Sequence, residues 1–172
     1  MRLEDYIRDI PDFPKPGILF KDITPLLLEP EALAQAVQSF AQMFKSGKPD
    51  KIAAIESRGF CFGAPLALEL GVGFVPLRKP GKLPWKTHRE TYQLEYGTDA
   101  LEVHQDAISS GERVLIIDDL LATGGTAGAA ARLVERCAGR VVCVAFAVEL
   151  LFLEGRSRHL KGYDVRSLIQ YE

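Results

Sequence analysis

The stretch that decides the fold reads VLIIDDLLATGGT and occupies positions 114–126. Its first four residues are large, apolar and mostly β-branched, which is typical of a strand covered on both faces of a sheet. Two adjacent carboxylates, Asp118 and Asp119, follow, and the small residues at 122–126 then precede an alanine-rich run with helical spacing. We therefore expect a buried parallel strand at 113–117, a tight loop and a helix. Ligands of such sheets bind beyond the carboxyl ends of the strands, where this loop would lie.

The loop has the composition of a phosphate site. Residues 122–126 lack bulk, so consecutive backbone N–H groups can close around a phosphate, and a helix that begins near Gly125 adds the positive end of its dipole. Thr123 and Thr126 add hydroxyl donors. The acid pair would repel a phosphate, but it would accept hydrogen bonds from the neutral hydroxyls of a sugar. Together these features favour a 5-phosphoribosyl group as the ligand.

Four other interpretations of the sequence are possible. A Walker A loop requires a Lys after its glycines, and none follows Gly125. A dinucleotide-binding fingerprint has the pattern G-x-G-x-x-G before a helix. Gly71 and Gly73 lack its third glycine and precede a strand instead. A phosphoacceptor receiver domain carries its acid pair after the first strand, and the 53 residues after Asp119 are too few for the rest of that fold. In the fourth interpretation the stretch binds no ligand: the two acids only end a strand, and Gly124-Gly125 only forms a tight turn.

The remaining sequence alternates strand and helix patterns. Such alternation predicts an α/β protein with a parallel sheet and right-handed crossovers. The predicted strands are 51–55, 72–77, 113–117 and 140–148, and the predicted helices are 31–44, 63–70 and the run after 125. Apolar residues at 3, 6, 7 and 10 predict a short helix before Pro11. The proline-rich segment 12–30 should lack regular structure, its apolar residues either stapling it to the core or forming a wall for a flat ligand.

A long polar connection at 79–96 interrupts the core pattern and is typical of a lid. Its last part, 91–96, alternates apolar and polar residues, as does 99–104. Because Gly97-Thr98 stands between these two runs, they predict a hairpin.

The length, charge and composition of the chain exclude several classes of protein. The chain has 172 residues, 47% of them hydrophobic, and a net charge of −2, which predicts a single globular domain without the basic excess that nucleic acid or an anionic membrane requires. The three cysteines and three histidines are scattered, so neither a disulfide framework nor a zinc site is expected. The N-terminus carries acids early and has no apolar run, so we expect no secretory signal and a cytoplasmic location.

The acid pair and its loop resemble the phosphoribosyl-pyrophosphate loop of the type I phosphoribosyltransferases. Further stretches, in the family's order, resemble its adenine-specific branch: DFPKPGILFKDITP at 12–25, ESRGF at 56–60, RKPGKLP at 78–84, LEYG at 94–97 and SLIQYE at 167–172. The resemblance implies one domain over 1–172, with a central, mostly parallel sheet flanked by helices. It also implies a small N-terminal hood at about 1–30 and a flexible lid loop at about 79–96.

The reaction implied by the resemblance joins adenine to 5-phosphoribosyl 1-pyrophosphate, giving AMP and pyrophosphate in purine salvage. It implies Mg²⁺ held mainly by substrate oxygens and water, with no dedicated protein ligands, and a homodimer in the cytoplasm. Two other functions stay open at this point. One is a sensor or repressor on the same fold, although no appended helix-turn-helix segment is evident, and the other is the same chemistry on xanthine or orotate.

The resemblance also assigns residues. The phosphoribosyl and AMP contacts are Asp118, Asp119, Leu120, Ala122, Thr123, Gly124, Gly125 and Thr126. The pyrophosphate contacts are Arg58, Arg78, Lys79 and Lys82, with a non-proline cis peptide expected around 56–58. The adenine contacts are Leu19, Phe20 and Lys21, where Phe20 stacks on the purine and backbone groups of the other two bind its amino edge. Arg58 and Glu95 are the catalytic candidates. Related 6-oxopurine enzymes carry an Asp where Ala122 stands, so Glu95 is left as the acid–base group for the purine ring.

Overall fold

The computed structural model describes residues 1–93 and 97–172 and contains strands and helices in alternation. The strands are β1 Arg8–Pro11, β2 Leu19–Asp22, β3 Lys51–Ile55, β4 Gly73–Leu77, β5 Thr87–Gln93, β6 Thr98–His104, β7 Arg113–Leu121, β8 Arg140–Leu150 and β9 Val165–Tyr171. The helices are α1 Thr24–Leu28, α2 Pro30–Met43, α3 Phe60–Leu70, α4 Gly125–Arg136 and α5 Gly155–His159, with short 3₁₀ turns at Leu3–Tyr6 and Leu151–Leu153.

Five parallel strands in the order β4-β3-β7-β8-β9 form the central sheet. β7 lies in the middle, and its side chains alternate between two apolar cores. Val114 and Ile116 pack on one side with α4 and the β5–β6 hairpin, whereas Leu115 and Ile117 pack on the other side with α2 and α3. All four side chains are fully buried. The predicted α/β class, with a strand covered on both faces, is confirmed.

Element bounds differ from the predictions mainly at the site. β3 has its predicted bounds and α2 differs by one residue at each end. β7, however, runs to Leu121 rather than stopping at 117, because β8 extends beside it and pairs Leu121 with Glu149. The acid pair therefore lies within the strand and the loop begins after it. α3 likewise begins at Phe60, three residues earlier than predicted.

The predicted N-terminal helix is wrong. A 3₁₀ turn at Leu3–Tyr6 is followed by β1, which pairs antiparallel with β2 so that Ile10 lies opposite Phe20. Helical spacing misled here because the pairing partner is contributed by the proline-rich segment, which itself contains β2 and α1. We call residues 8–22 the hood hairpin.

The predicted second hairpin is present and begins earlier, while residues 94–96 of its predicted first strand lie outside the described residues. β5 begins at Thr87 rather than at 91 and pairs antiparallel with β6, with Thr87 opposite His104. Much of the segment predicted as a lid loop is therefore strand, and the mobility of this segment stays a prediction.

Candidate active site

The loop between β7 and α4 encloses a small cavity at the carboxyl edge of the sheet. We call residues 122–126 the phosphate loop, after their predicted ligand. Gly124 has φ 87°, and a Cβ there would lie 2.7 Å from the carbonyl oxygen of Gly155, so only glycine fits this turn. Among the described residues, no side chain caps the first turn of α4, which leaves its N–H groups free for an anion. The cavity has a volume of about 80 Å³ and is lined by Asp118 and residues 120–127. All predicted sugar-phosphate residues except Asp119 thus surround one cavity.

Asp119 points into a different environment, beside the turn that follows β3. Its side chain is 6% exposed, and its Oδ2 lies 2.8 Å from Nε of Arg58. The guanidinium N–H is not aligned on that oxygen, so Oδ2 has no hydrogen-bond partner in the described part of the chain. Burial raises the pKa of Asp119, although the charge of Arg58 opposes the shift. A buried acceptor without a partner is suited to a ligand hydroxyl.

Asp118 is the other acid of the pair. Its Oδ1 accepts a hydrogen bond of 2.9 Å from the backbone N–H of Asp119. Burial, and then the charge of Asp119, raise the pKa of Asp118 well above its ordinary value. Hydrogen-bond donors from a ligand would favour the ionised form of the pair.

The turn after β3 brings Arg58 to the acid pair. The peptide between Glu56 and Ser57 is cis, within the segment where the resemblance implied such a bond. Gly59 allows the turn to close, because a Cβ there would lie 2.5 Å from a backbone oxygen of β3. The guanidinium carbon of Arg58 lies 5.2 Å from the ring centroid of Phe20. Arg58 therefore links the hood hairpin to the end of β7.

Glu56 organises two of the predicted pyrophosphate contacts and was not itself predicted. Its side chain is 5% exposed, and its carboxylate lies 2.8 Å from Nε of Arg78 and 3.3 Å from Nζ of Lys82. It also accepts a hydrogen bond from the backbone N–H of Lys79. Burial acts to raise the pKa of Glu56, but these hydrogen bonds outweigh it and the pKa is lowered. The carboxylate is ionised and holds both cationic side chains beside the Arg58 turn.

Lys79 lies elsewhere. Its ammonium contacts the carboxylate of Asp99 and donates a 2.6 Å hydrogen bond to the hydroxyl of Tyr92, both on the β5–β6 hairpin. Burial opposes the charge of Lys79, yet these partners raise its pKa. Of the three cations predicted downstream of β4, Arg78 and Lys82 are brought together and Lys79 is not.

The hood hairpin carries the predicted adenine contacts. Phe20 makes an edge-on contact with Phe13 at 5.1 Å between ring centroids. Leu19 is 50% exposed, and Nζ of Lys21 lies 3.9 Å from the centre of the Tyr171 ring. The Phe20 ring thus lies near Arg58, while Lys21 fastens the hairpin to the last strand.

Glu95 lies outside the described residues, so its role stays a prediction. The strand that leads to it ends close to the phosphate loop, because a Cβ on Gly125 would lie 3.1 Å from the carbonyl oxygen of Gln93.

Two further buried acids were missed by sequence reasoning. Glu102 accepts hydrogen bonds from the Gly81 N–H and from Arg89, and Glu149 pairs with Arg156. The available signal was an acid inside an apolar run, such as Glu149 in the stretch VAFAVELL at 144–151. Such an acid must have a partner, although the sequence does not say which.

Within 1–93 and 97–172, no group of three or more His, Cys, Asp or Glu side chains is arranged to hold a metal ion. No helix in the same ranges is both long enough and apolar enough to cross a membrane.

Known proteins resemble this chain over its whole length. Residues 26–170 match the phosphoribosyl transferase domain family. An adenine phosphoribosyltransferase of Christiangramia forsetii is 58% identical over 171 residues, covering 99% of both chains. A crystal structure of the enzyme from Thermoanaerobacter pseudethanolicus is 56% identical, with a TM-score of 0.95 and 98% of both chains covered.

A third comparison includes ligands. The Saccharomyces cerevisiae adenine phosphoribosyltransferase, solved with an iminoaltritol bisphosphate and adenine, is 43% identical with a TM-score of 0.90 and covers 95% of this chain and 94% of its own. The loop, the acid pair and the Arg58 turn thus lie in a fold and a sequence shared from end to end with these enzymes, and the chain belongs to the phosphoribosyl transferase family, among the adenine phosphoribosyltransferases.

Proposed function

We propose that this protein is a pentosyltransferase that converts adenine and 5-phosphoribosyl 1-pyrophosphate into AMP and pyrophosphate. The observation that carries the proposal is the uncapped start of α4 beside the buried acid pair, at the carboxyl edge of a parallel sheet. That arrangement offers N–H donors to a phosphate and carboxylate acceptors to sugar hydroxyls within one short segment.

The sugar phosphate is assigned to the loop and the acid pair. The 5-phosphate accepts hydrogen bonds from the N–H groups of 123–126 and from the hydroxyls of Thr123 and Thr126. Asp118 and Asp119 accept hydrogen bonds from the ribose hydroxyls. The Oδ2 of Asp119, which is ion-paired with Arg58 but has no hydrogen-bond partner among the described residues, supports this assignment, since a buried acceptor gains most from a new donor.

The pyrophosphate is assigned to Arg58, Arg78 and Lys82, with Lys79 reaching it only if its present contacts on the hairpin are exchanged. The planar fork of a guanidinium suits two phosphoryl oxygens. Mg²⁺ would arrive on the pyrophosphate, held by substrate oxygens and water. When bound, the ion would neutralise charge that develops on the leaving group.

Adenine is assigned to the hood hairpin. Phe20 would stack on the purine face, and the backbone of Leu19 and Lys21 would bind its amino edge. Displacement at the anomeric carbon passes through an oxocarbenium-like state, so the proton on the imidazole part of the base must be managed as the new bond forms. Glu95 is the group proposed to do this.

Cytoplasmic location and a homodimeric assembly are part of the same proposal and rest on the resemblance to the family.

An assay of five bases tests the reaction. Protein, Mg²⁺ and 5-phosphoribosyl 1-pyrophosphate are mixed with adenine, hypoxanthine, guanine, xanthine or orotate, and nucleotide and pyrophosphate are measured. AMP and pyrophosphate in equal amounts from adenine alone are expected. Turnover with another base but not adenine would overturn the substrate assignment, and a gel shift with DNA without any turnover would favour a repressor.

Glu95→Ala tests the acid–base assignment. We expect kcat to fall by about 10²–10⁴-fold, the usual contribution of a general acid or base. The KM for 5-phosphoribosyl 1-pyrophosphate should stay nearly unchanged, because the group acts on the base. Glu95→Gln is the matched variant that keeps size but not charge. Normal turnover by Glu95→Ala would exclude the role.

A further inference from the structure

A buried hydrogen-bond network lies directly beside the phosphate loop and has no role in the reaction as proposed. Its centre is Glu149, near the end of β8, with a side chain that is 3% exposed. The carboxylate accepts hydrogen bonds of 2.5 Å from Nε and Nη2 of Arg156, 2.6 Å from the hydroxyl of Ser167 and 3.1 Å from Nε2 of Gln170. Its partners among the described residues are side chains on α5 and β9.

Arg156 connects this network to the backbone of β9. Its Nη1 donates a hydrogen bond of 2.8 Å to the carbonyl oxygen of Val165, the first residue of β9. A guanidinium that satisfies a carboxylate on one side and a carbonyl on the other has a fixed direction. The start of α5 is therefore tied to the ends of two strands of the central sheet.

Gly155, the residue before Arg156, touches the phosphate loop without any side chain between them. A Cβ on Gly155 would lie 2.4 Å from the carbonyl oxygen of Ala122 and 2.8 Å from Cδ1 of Leu121. In the other direction, a Cβ on Gly124 would lie 2.7 Å from the carbonyl oxygen of Gly155. The two backbones are thus in mutual contact, and each side of the contact requires glycine.

The position of Glu149 in the sheet adds to this contact. Glu149 lies directly opposite Leu121 in the β7–β8 ladder, and Leu121 is the last strand residue before the loop. The network and the loop therefore begin at the same level of the sheet. Movement of α5 would be transmitted to Ala122 and Gly124, because protein interiors are close-packed.

We propose that Glu149 and Arg156 are positioning residues that hold Gly155 against the back of the phosphate loop and so set the affinity of that loop for the sugar phosphate. The inference rests on the proposed function of the loop at 122–126. Neither side chain is placed among the groups that touch the substrate. Their effect is on the geometry of the N–H groups that do.

Arg156→Lys and Gly155→Ala test the inference. Lys keeps the charge but cannot reproduce the planar fork, and Ala places a methyl group where the Ala122 carbonyl lies. We expect both variants to raise the Kd for ribose 5-phosphate, measured by calorimetry, about tenfold. The KM for 5-phosphoribosyl 1-pyrophosphate should rise in parallel, while kcat and the KM for adenine stay within about twofold.

Matched controls lie at the opposite end of the sheet. Gly47→Ala introduces a methyl group whose nearest neighbour is 3.8 Å away, and Arg140→Lys alters an exposed side chain at the first residue of β8. Both should bind ribose 5-phosphate like the unaltered protein. Circular dichroism at the assay temperature verifies that each variant is folded, and Glu149→Gln, which keeps the size of the side chain, replaces any variant that is not.

The outcomes distinguish the positioning role from the proposed function of the loop. Folded Arg156→Lys or Glu149→Gln with unchanged ribose 5-phosphate affinity would overturn the positioning role and leave the proposed function intact. A lowered unfolding temperature without a change in that affinity is the result of a purely structural role and would also overturn it. Absence of ribose 5-phosphate binding by the unaltered protein would overturn both.

Discussion

At the scale of single residues, the acid pair is held in a setting that opposes its charge. Burial raises the pKa of both Asp118 and Asp119. Burial penalises the ionised form, so the folded state is more stable when these acids are protonated. This relative stability is complete below the unfolded pKa near 3.8 and is lost as pH rises through the higher folded pKa. Ligand hydroxyls would later supply the missing donors. The buried acid pair thus lowers the stability of the protein without ligand but keeps acceptors for the ligand, which is common at functional sites.

Asp118→Asn should therefore separate stability from binding. At pH 7 we expect the free energy of unfolding to rise, because the amide carries no charge to desolvate. The KM for 5-phosphoribosyl 1-pyrophosphate should rise, because the amide is a weaker acceptor for a hydroxyl. Urea unfolding at pH 7 and at pH 3.5, with steady-state kinetics, measures both. The stability difference should shrink at the lower pH, and a variant less stable than the parent at pH 7 would contradict the explanation.

Glu56 is the opposite case. Despite its burial, hydrogen bonds from the Lys79 N–H, Arg78 and Lys82 lower its pKa below 4.5, so its contribution to stability is present above that value and is lost as pH falls through the folded pKa. Glu56→Gln should lower the free energy of unfolding at pH 7 by about 1–3 kcal/mol.

The pH dependence distinguishes this effect from general damage. Unfolding in urea between pH 7 and pH 3 should be less pH-dependent for Glu56→Gln than for the parent, whereas Glu69→Gln, at an exposed position of α3, should behave like the parent. Equal pH dependence of parent and Glu56→Gln would show that Glu56 is not the group that titrates.

At the scale of elements, the spacing of apolar residues predicted those strands and helices whose bounds depend on their own sequence. β3 and α2 were predicted because buried strands and amphipathic helices repeat their apolar residues at fixed spacing. The extension of β7 to Leu121 depends on β8, and β1 depends on β2. Neither partner is visible in a local window. The same limit explains the site, since the loop is one continuous motif whereas Glu56 takes its partners from more than twenty positions further along the chain.

The phosphate loop allows a prediction at the element scale. Gly124→Ala combines a positive φ with a close approach of 2.7 Å to Gly155, whereas Gly111→Ala meets only the first problem, with φ 81° and nothing within 4 Å. We expect Gly111→Ala to lower the free energy of unfolding by about 1–2 kcal/mol without a change in kinetics. Gly124→Ala should lower it further and raise the KM for 5-phosphoribosyl 1-pyrophosphate. Equal behaviour of the two variants in thermal unfolding and kinetics would mean that the contact with Gly155 is unimportant.

At the scale of the whole molecule, three separately paired parts meet at one edge of the sheet: the hood hairpin, the central strands and the β5–β6 hairpin. The sequence predicted the central strands and the β5–β6 hairpin, and the resemblance implied a hood, but neither indicated the side chains that join them. Arg58 joins the hood to the sheet through Phe20, and Lys79 joins the segment after β4 to the hairpin. Such joins depend on long-range geometry, which no spacing rule encodes.

Lys21 offers a test of whether the hood must be fastened for the base to bind. Its side chain is 10% exposed, and its Nζ lies 2.6 Å from Asp9 and 3.9 Å from the centre of the Tyr171 ring. Lys21→Met keeps the length and the apolar stem but removes the charge from both contacts. A cation–π contact contributes about 0.5–1 kcal/mol or more, so the hairpin should be held less firmly over the last strand.

We expect Lys21→Met to raise the KM for adenine about threefold to tenfold, with the Kd for ribose 5-phosphate unchanged because the phosphate loop is built from other elements. Lys45→Met, at an exposed position after α2, is the control and should alter neither constant. A parallel loss of affinity for both ligands would mean that Lys21 supports the sheet as a whole. An unchanged KM for adenine would mean that the base binds without the contacts of the Lys21 charge, and the fastening role assigned to this side chain would then be wrong.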